Sequence, residues 1–364
     1  MSASASASSL GLLPNELLDL ILSELSTEPP SARKLHHPPS LELTQSRTKD
    51  LKHLAQSSSA LLDFVRPWLF RHARLDLCEE PAFRSFVTNS GLNRYVTSIV
   101  VIGIDSPDHR ADPRWWRSVI QYIDPVRFTV LAPPAFMGKT LGTPIMDGDS
   151  WAFDIPLQVL QLECDRSTDV PDSGSQSSLL PLRPWNSLSF NESSSLRAYN
   201  HYEYFQFQTP SVLGEWGGTR HVPLTSGQDL FVPQSLRGLT AFSYTAVFPF
   251  YNHVRLVLDA LALMPNLRSL SMQLGPEEGN TITETEQRGS MDPSDPWMEL
   301  ETSYSLIGHA VKHDLHVLEV FSTRDFQLQA IRPELLAIVN EHLGNDSGWV
   351  HDGRGMWMRG GDHA

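Results

Sequence analysis

Apolar side chains recur along this chain with two different periods, and the change from one to the other divides it. From Leu13 to Leu25 they stand at Leu13, Leu17, Leu18, Ile21, Leu22 and Leu25, intervals that put them on one face of a helix. Pro14 suits the first helical position, where no backbone N–H is required, and Glu16 and Asp19 place negative charge near the positive end of the helix dipole. Leu51, Leu54, Ser58, Leu61 and Val65 continue the helical spacing over Asp50 to Arg66, with Asp50 expected as its cap. Pro67 is expected to open a short third turn carrying Trp68, Leu69 and Phe70, and ending at His72. Helices this short carry more apolar surface than they can hide alone, so the three are expected to pack on one another and on a partner. Between the first and second, residues 26–49 are rich in Pro, Ser and basic side chains and are expected to be a flexible insertion.

Beyond residue 77 the pattern shortens. Val96 to Val101, Leu157 to Leu162, Leu267 to Met272 and Leu315 to Val320 each read apolar-x-x-apolar-x-apolar, with weaker copies from Val126 and Leu236 and a faint one near Leu196. Helices are expected at Trp115 to Ile123 and His253 to Leu263. A strand of this kind cannot bury its face alone, whereas stacking successive units into a parallel sheet does so. The expected fold is α/β: an N-terminal trihelical module, 12–76, followed by an irregular body, 77–345, that resembles a leucine-rich-repeat solenoid. An α/β domain without repeats is the alternative. Residues 1–11 are expected to be disordered and the Gly-rich 346–364 a flexible tail. Arg166 to Ser178 and Gly275 to Pro296 read as loops, and the alternating stretch Tyr202 to Phe207 as a candidate contact strand.

Charge sharpens the division. The net charge is -14, yet residues 12–76 hold eight basic and eight acidic side chains, leaving 20 basic against 34 acidic elsewhere. An acidic body argues against nucleic acid as a partner, because phosphate contact needs concentrated Lys and Arg. With no apolar run of about 18 residues and no basic start, neither a membrane span nor a secretory signal is expected, which points to cytosol or nucleus. Two cysteines, Cys78 and Cys164, exclude a disulfide framework and a cysteine zinc site, and both are expected to be buried thiols.

L-P-x-E-L-L-x-x-I-L-x-x-L at Leu13 to Leu25, D-L-x-x-L-A-x-x-S at Asp50 to Ser58 and P-W-L-F-R-H at Pro67 to His72 together resemble an F-box, most closely those of filamentous-fungal F-box proteins. The insertion is longer than in that family, and Gln56-Ser57-Ser58-Ser59 stands where an apolar-Val-Ser-Arg run is common. The resemblance implies a trihelical unit seated in a Skp-family adaptor and, through it, a cullin and a RING subunit. The chain would then be the receptor that brings an unidentified protein substrate to a ubiquitin ligase, with no cofactor and no catalysis of its own. By the same comparison Leu13, Pro14, Leu17, Leu18, Ile21, Leu22, Leu51, Leu54 and Leu61 face the adaptor or the neighbouring helices. An adaptor-bound scaffold working without a ligase is the second reading, and an enzyme in the body the third.

Catalytic motifs fail on their own mechanics. Gly138-Lys139-Thr140 ends like a phosphate loop, but Pro133 stands where the first glycine belongs. Gly148-Asp149-Ser150 lacks the second glycine of a nucleophile elbow. His351-Asp352 and Asp362-His363 fall in the expected tail, where nothing rigid would hold them. Adjacent His36 and His37 have no carboxylate or thiol at ligand spacing in the sequence, so no metal is expected there.

Overall fold

The computed structural model describes residues 13–25, 28–45, 48–104, 112, 114–145, 150–164, 178–201, 209–219, 234–280, 282, 292–344 and 347–360. Four helices come first: α1 (Asn15–Leu25), α2 (Pro30–Lys34), α3 (Lys49–Ser57) and α4 (Ser59–Leu69). The segment expected as one helix from Asp50 to Arg66 is broken at Ser58, whose extended backbone (φ -160°, ψ 143°) ends α3 and starts α4. Serine side chains compete for backbone hydrogen bonds, and here that competition ends the helix. Asp50 lies inside the first turn of α3 rather than capping it. Pro67 sits within α4 and opens no third helix, and the chain passes directly into β1 (His72–Asp76).

The remaining strands are β2 (Ser98–Ile102), β3 (Arg127–Ala132), β4 (Gln158–Glu163), β5 (Ser187–Ser194), β6 (Ala241–Val247), β7 (Ser269–Gln273), β8 (Val320–Thr323), β9 (Trp349–His351) and β10 (Met356–Arg359). They form one mostly parallel sheet that follows chain order to β8 and finishes with β10 and β9. β4 runs antiparallel to both neighbours, and β9 and β10 form an antiparallel edge, so residues expected as a tail are part of the sheet. The parallel strands open with a recurring contact: one carbonyl of the preceding strand's approach accepts from two successive amides. Arg71 O receives Thr97 and Ser98, Thr97 O receives Val126 and Arg127, Thr240 O receives Arg268 and Ser269, and Arg268 O receives Glu319 and Val320.

Because side chains alternate along a strand, the sheet has two faces of opposite character. Ile99, Val101, Phe128, Val130, Leu160, Leu162, Leu188, Phe190, Phe242, Tyr244, Leu270, Met272 and Phe321 point one way into a single large core. Helices α5 (Glu80–Asn89), α6 (Trp115–Tyr122), α7 (Pro134–Leu141), α8 (Ser150–Phe153), α9 (Val212–Thr219), α10 (Tyr251–Leu261), α11 (Asp295–His313) and α12 (Arg332–Leu343) contribute to that core. The expected helices at Trp115 and His253 are thus α6 and α10, and Trp115, Trp116 and Trp216 are core residues. Cys164 is buried, whereas Cys78, expected inside, is exposed. Among the described residues, no helix is long and apolar enough to cross a membrane. The alternating stretch Tyr202 to Phe207 and most of the Arg166 to Ser178 loop lie outside the described residues.

Candidate functional site

Two surfaces differ from the rest. The first belongs to α1, α3 and α4, which share a small core of Leu22, Leu51 and Val65 flanked by Leu25, Leu54, Phe64 and Trp68. Leu18 and Leu61 are also buried. With that interior filled, Leu13 (37% exposed), Leu17 (47%), Leu20 (60%) and Leu62 (37%) still face solvent. The nine residues singled out from sequence therefore separate. Leu18, Leu22, Leu51 and Leu61 are interior, Ile21 and Leu54 are half-buried, and Leu13, Pro14 and Leu17 are on the surface. Leu20 and Leu62 also carried the helical spacing, Leu20 following Leu13 and Leu17 at seven and three residues and Leu62 following Ser58 at four, and they belong with the singled-out residues. Beside them an open groove of about 590 Å³ runs between α1 and α4, with Leu20, Phe64 and Trp68 in its lining and Glu16, Asp19 and Asp63 adding negative charge.

The second surface is the sheet face turned away from the helices. In register across four adjacent strands it carries Ser189, Ser243, Ser271 and Ser322, a row of small hydroxyls. The next row is Leu131, Val159, Asn191, Thr245 and Gln273. Along it lies the insertion between α1 and α3, which is not a loose tether. Leu43 is buried against Leu131 and Val159, with Leu35 and Leu157 beside them. Asn191, itself 2% exposed, donates through Nδ2 to the carbonyls of Leu35 (2.7 Å) and His37 (2.8 Å). His36 Nε2 and His37 Nδ1 meet the two carboxylate oxygens of Glu277 at 3.0 Å and 2.6 Å. Burial first, then Arg324 and the adjoining His37, push His36 down to about 4. Its imidazole is then neutral at neutral pH and meets Glu277 through a hydrogen bond rather than an ion pair. The two histidines, which have no carboxylate at ligand spacing in the sequence, meet one across the fold, at the point where the insertion touches the turn after β7.

Two buried polar networks hold the far ends of the strands. Glu192 accepts hydrogen bonds from Ser211 and from Tyr244 OH (2.7 Å), and His253 Nε2 lies 2.7 Å from its Oε2. A serine, a histidine and a glutamate in one place suggest a hydrolytic triad, but that chemistry needs the imidazole between hydroxyl and carboxylate. Here the carboxylate stands in the middle, and the serine proton points at it. Asp325 receives the amides of Leu274 (2.6 Å) and Gly275 (3.0 Å) and the hydroxyl of Tyr304 (2.5 Å), and burial raises its carboxyl to about 6. Its position ties the turn after β7 to the turn after β8.

The sequence motifs weighed as chemistry fall elsewhere. Gly138, Lys139 and Thr140 are inside α7, where backbone amides are spent on the helix. His351 stacks on Trp357, and Asp352 accepts from the amides of Arg354 and Met356, so this pair builds the turn between β9 and β10. Gly148, Asp149, Asp362 and His363 lie outside the described residues. No family model, curated protein or solved structure matches this chain.

Proposed function

We propose that this chain is an F-box-type substrate receptor: α1, α3 and α4 dock a Skp-family adaptor that leads to a cullin, and the body presents a protein substrate to the assembled ubiquitin ligase. The observation that carries the reading is the exposure of Leu13, Leu17 and Leu20 along α1 and of Leu62 on α4, left in solvent by a three-helix unit whose interior is already closed by Leu18, Leu22, Leu51, Leu61 and Val65. Uncovered leucines, with Glu16, Asp19 and Asp63 in the groove beside Leu20, fit a protein partner that brings its own apolar surface. The sequential strand order and repeated strand openings support reading the body as a leucine-rich-repeat-like solenoid. The serine row then offers a polar face for substrate, and catalysis comes from proximity inside the complex.

Affinity capture from cells tests this reading. Unmodified chain is expected to recover adaptor and cullin, and Leu17→Asp with Leu20→Asp to recover neither while remaining folded. Failure of the unmodified chain to recover an adaptor sinks the proposal, and recovery of adaptor without cullin converts it to the scaffold reading.

A further inference from the structure

His36, His37 and Glu277 are brought together from places 240 residues apart, and both sides are held before they meet. On the insertion side, buried Asn191 binds the carbonyls of Leu35 and His37 and so fixes the backbone on either side of His36. On the body side, the turn leading to Glu277 is fixed at Leu274 and Gly275 by Asp325, and closes with Asn280 N donating to Glu277 O at 3.0 Å. The imidazole rings lie on the same side of the chain, 4.6 Å apart and tilted by 32°, so both address one carboxylate. One donor atom from each residue can be chosen so that all three lie within 4.8 Å of one another. Donors around a tetrahedral zinc ion stand about 3.4 Å apart, so a small rotation of half-buried side chains suffices to gather them.

We propose that His36, His37 and Glu277 bind one divalent transition metal of the zinc class, which clips residues 28–45 to the turn after β7. Two imidazoles and one carboxylate form a three-ligand set that leaves a fourth position for water. Preorganisation from Asn191 and Asp325 supplies the supporting shell that such a site needs. The electrostatic influence of Arg324 reaches both His36 and Glu277 and opposes an incoming dication. That opposition is the same for every dication, so the choice of metal rests on the two imidazoles, which favour the zinc class over magnesium or calcium, the metals of oxygen donors. The clip would fix the insertion over the row from Leu131 to Gln273 and leave the serine row beside it.

The test uses the full chain, freed of metal with a chelator and titrated calorimetrically with Zn2+, then with Co2+ followed by visible absorption. One equivalent of Zn2+ is expected, with a tetrahedral Co2+ spectrum, slower hydrogen exchange across residues 28–45, and no response to Mg2+. His36→Gln and, from the other side of the contact, Glu277→Gln are each expected to weaken Zn2+ binding by about 100-fold or more, at or beyond the upper end of the range typical of outer-shell changes. A second histidine group provides the competing site: His309 and His313 on α11 have ring centroids 4.6 Å apart, with His342 near them. The proposal is overturned if the unmodified chain binds no Zn2+. It is equally overturned if binding survives both variants at Glu277 and His36 but is lost in His309→Gln combined with His313→Gln.

Discussion

The three-helix module and the sheet body use the same apolar residues to opposite ends. In the body, each strand's inward row is consumed: Phe128, Phe190, Phe242 and Phe321 are all at most 2% exposed, and helices α5 to α12 help close over them. In the module, Leu18, Leu22, Leu51, Leu61 and Val65 are buried while Leu13, Leu17, Leu20 and Leu62 remain outside. The inward strand rows of the body become stability, with exposed apolar residues such as Phe86, Trp151 and Val350 lying off those rows, whereas in the module leucines of α1 and α4 themselves are left available for contact. A leucine count from sequence does not distinguish the two uses; the burial of each leucine does.

The sharpest contrast comes from substitution within each region. Phe128→Ala is expected to cost about 3–5 kcal/mol of unfolding free energy in urea, because it leaves a cavity among fully buried neighbours. Next in size is the pH response of Asp325. Its folded-state value of about 6 lies above the ordinary carboxyl value, so the protonated form is favoured by folding. The stabilisation is therefore complete below about pH 4 and is lost as pH rises through about 6, roughly 3 kcal/mol in all. Urea midpoints of Asp325→Asn measured between these limits are expected to lack that slope, though the substitution also disturbs the amides of Leu274 and Gly275.

Asn191→Asp probes the junction between the regions. It keeps the acceptor for Ser193 N but removes both donors to the insertion, and should free residues 28–45 by about 1–2 kcal/mol. Hydrogen exchange there is expected to quicken by roughly tenfold with the sheet core unchanged. The smallest effect on stability is assigned to Leu20→Asp, within about 0.5 kcal/mol of the unmodified chain, because the side chain is mostly in water. A large loss of stability in Leu20→Asp would erase the contrast.

Much of the α/β architecture was legible because the apolar-x-x-apolar-x-apolar unit is a packing rule. Leu267, Leu270 and Met272 are all buried as that unit requires. What escaped followed from reading it with aliphatic residues alone. Trp185-x-x-Leu188-x-Phe190 and Leu239-x-x-Phe242-x-Tyr244 are the same unit with aromatics, and they lead into and form β5 and β6. At β8 the true frame is Leu318-x-x-Phe321-x-Thr323, three residues beyond the one the leucines suggest. The reversal of β4 left no trace, since its pattern reads alike in either direction.

The module's helical stripe was visible, but the break at Ser58 turned on a backbone preference that spacing does not record. The insertion escaped for a different reason. Its anchors are Asn191, Glu277 and two sheet residues more than 80 positions away, and no local pattern in residues 26–49 points to them. Proline and serine content suggested a flexible connection, whereas residues 28–45 form α2 and a second helical turn at Leu41–Thr44 and are held on the sheet.

The most direct test of the central claim is the hydrogen-exchange footprint of a purified Skp-family adaptor on the full chain. Protection confined to α1, α3 and α4, abolished in Leu17→Asp with Leu20→Asp, is the predicted result. Protection centred on the serine row of β5 to β8, with α1 unchanged, would contradict it.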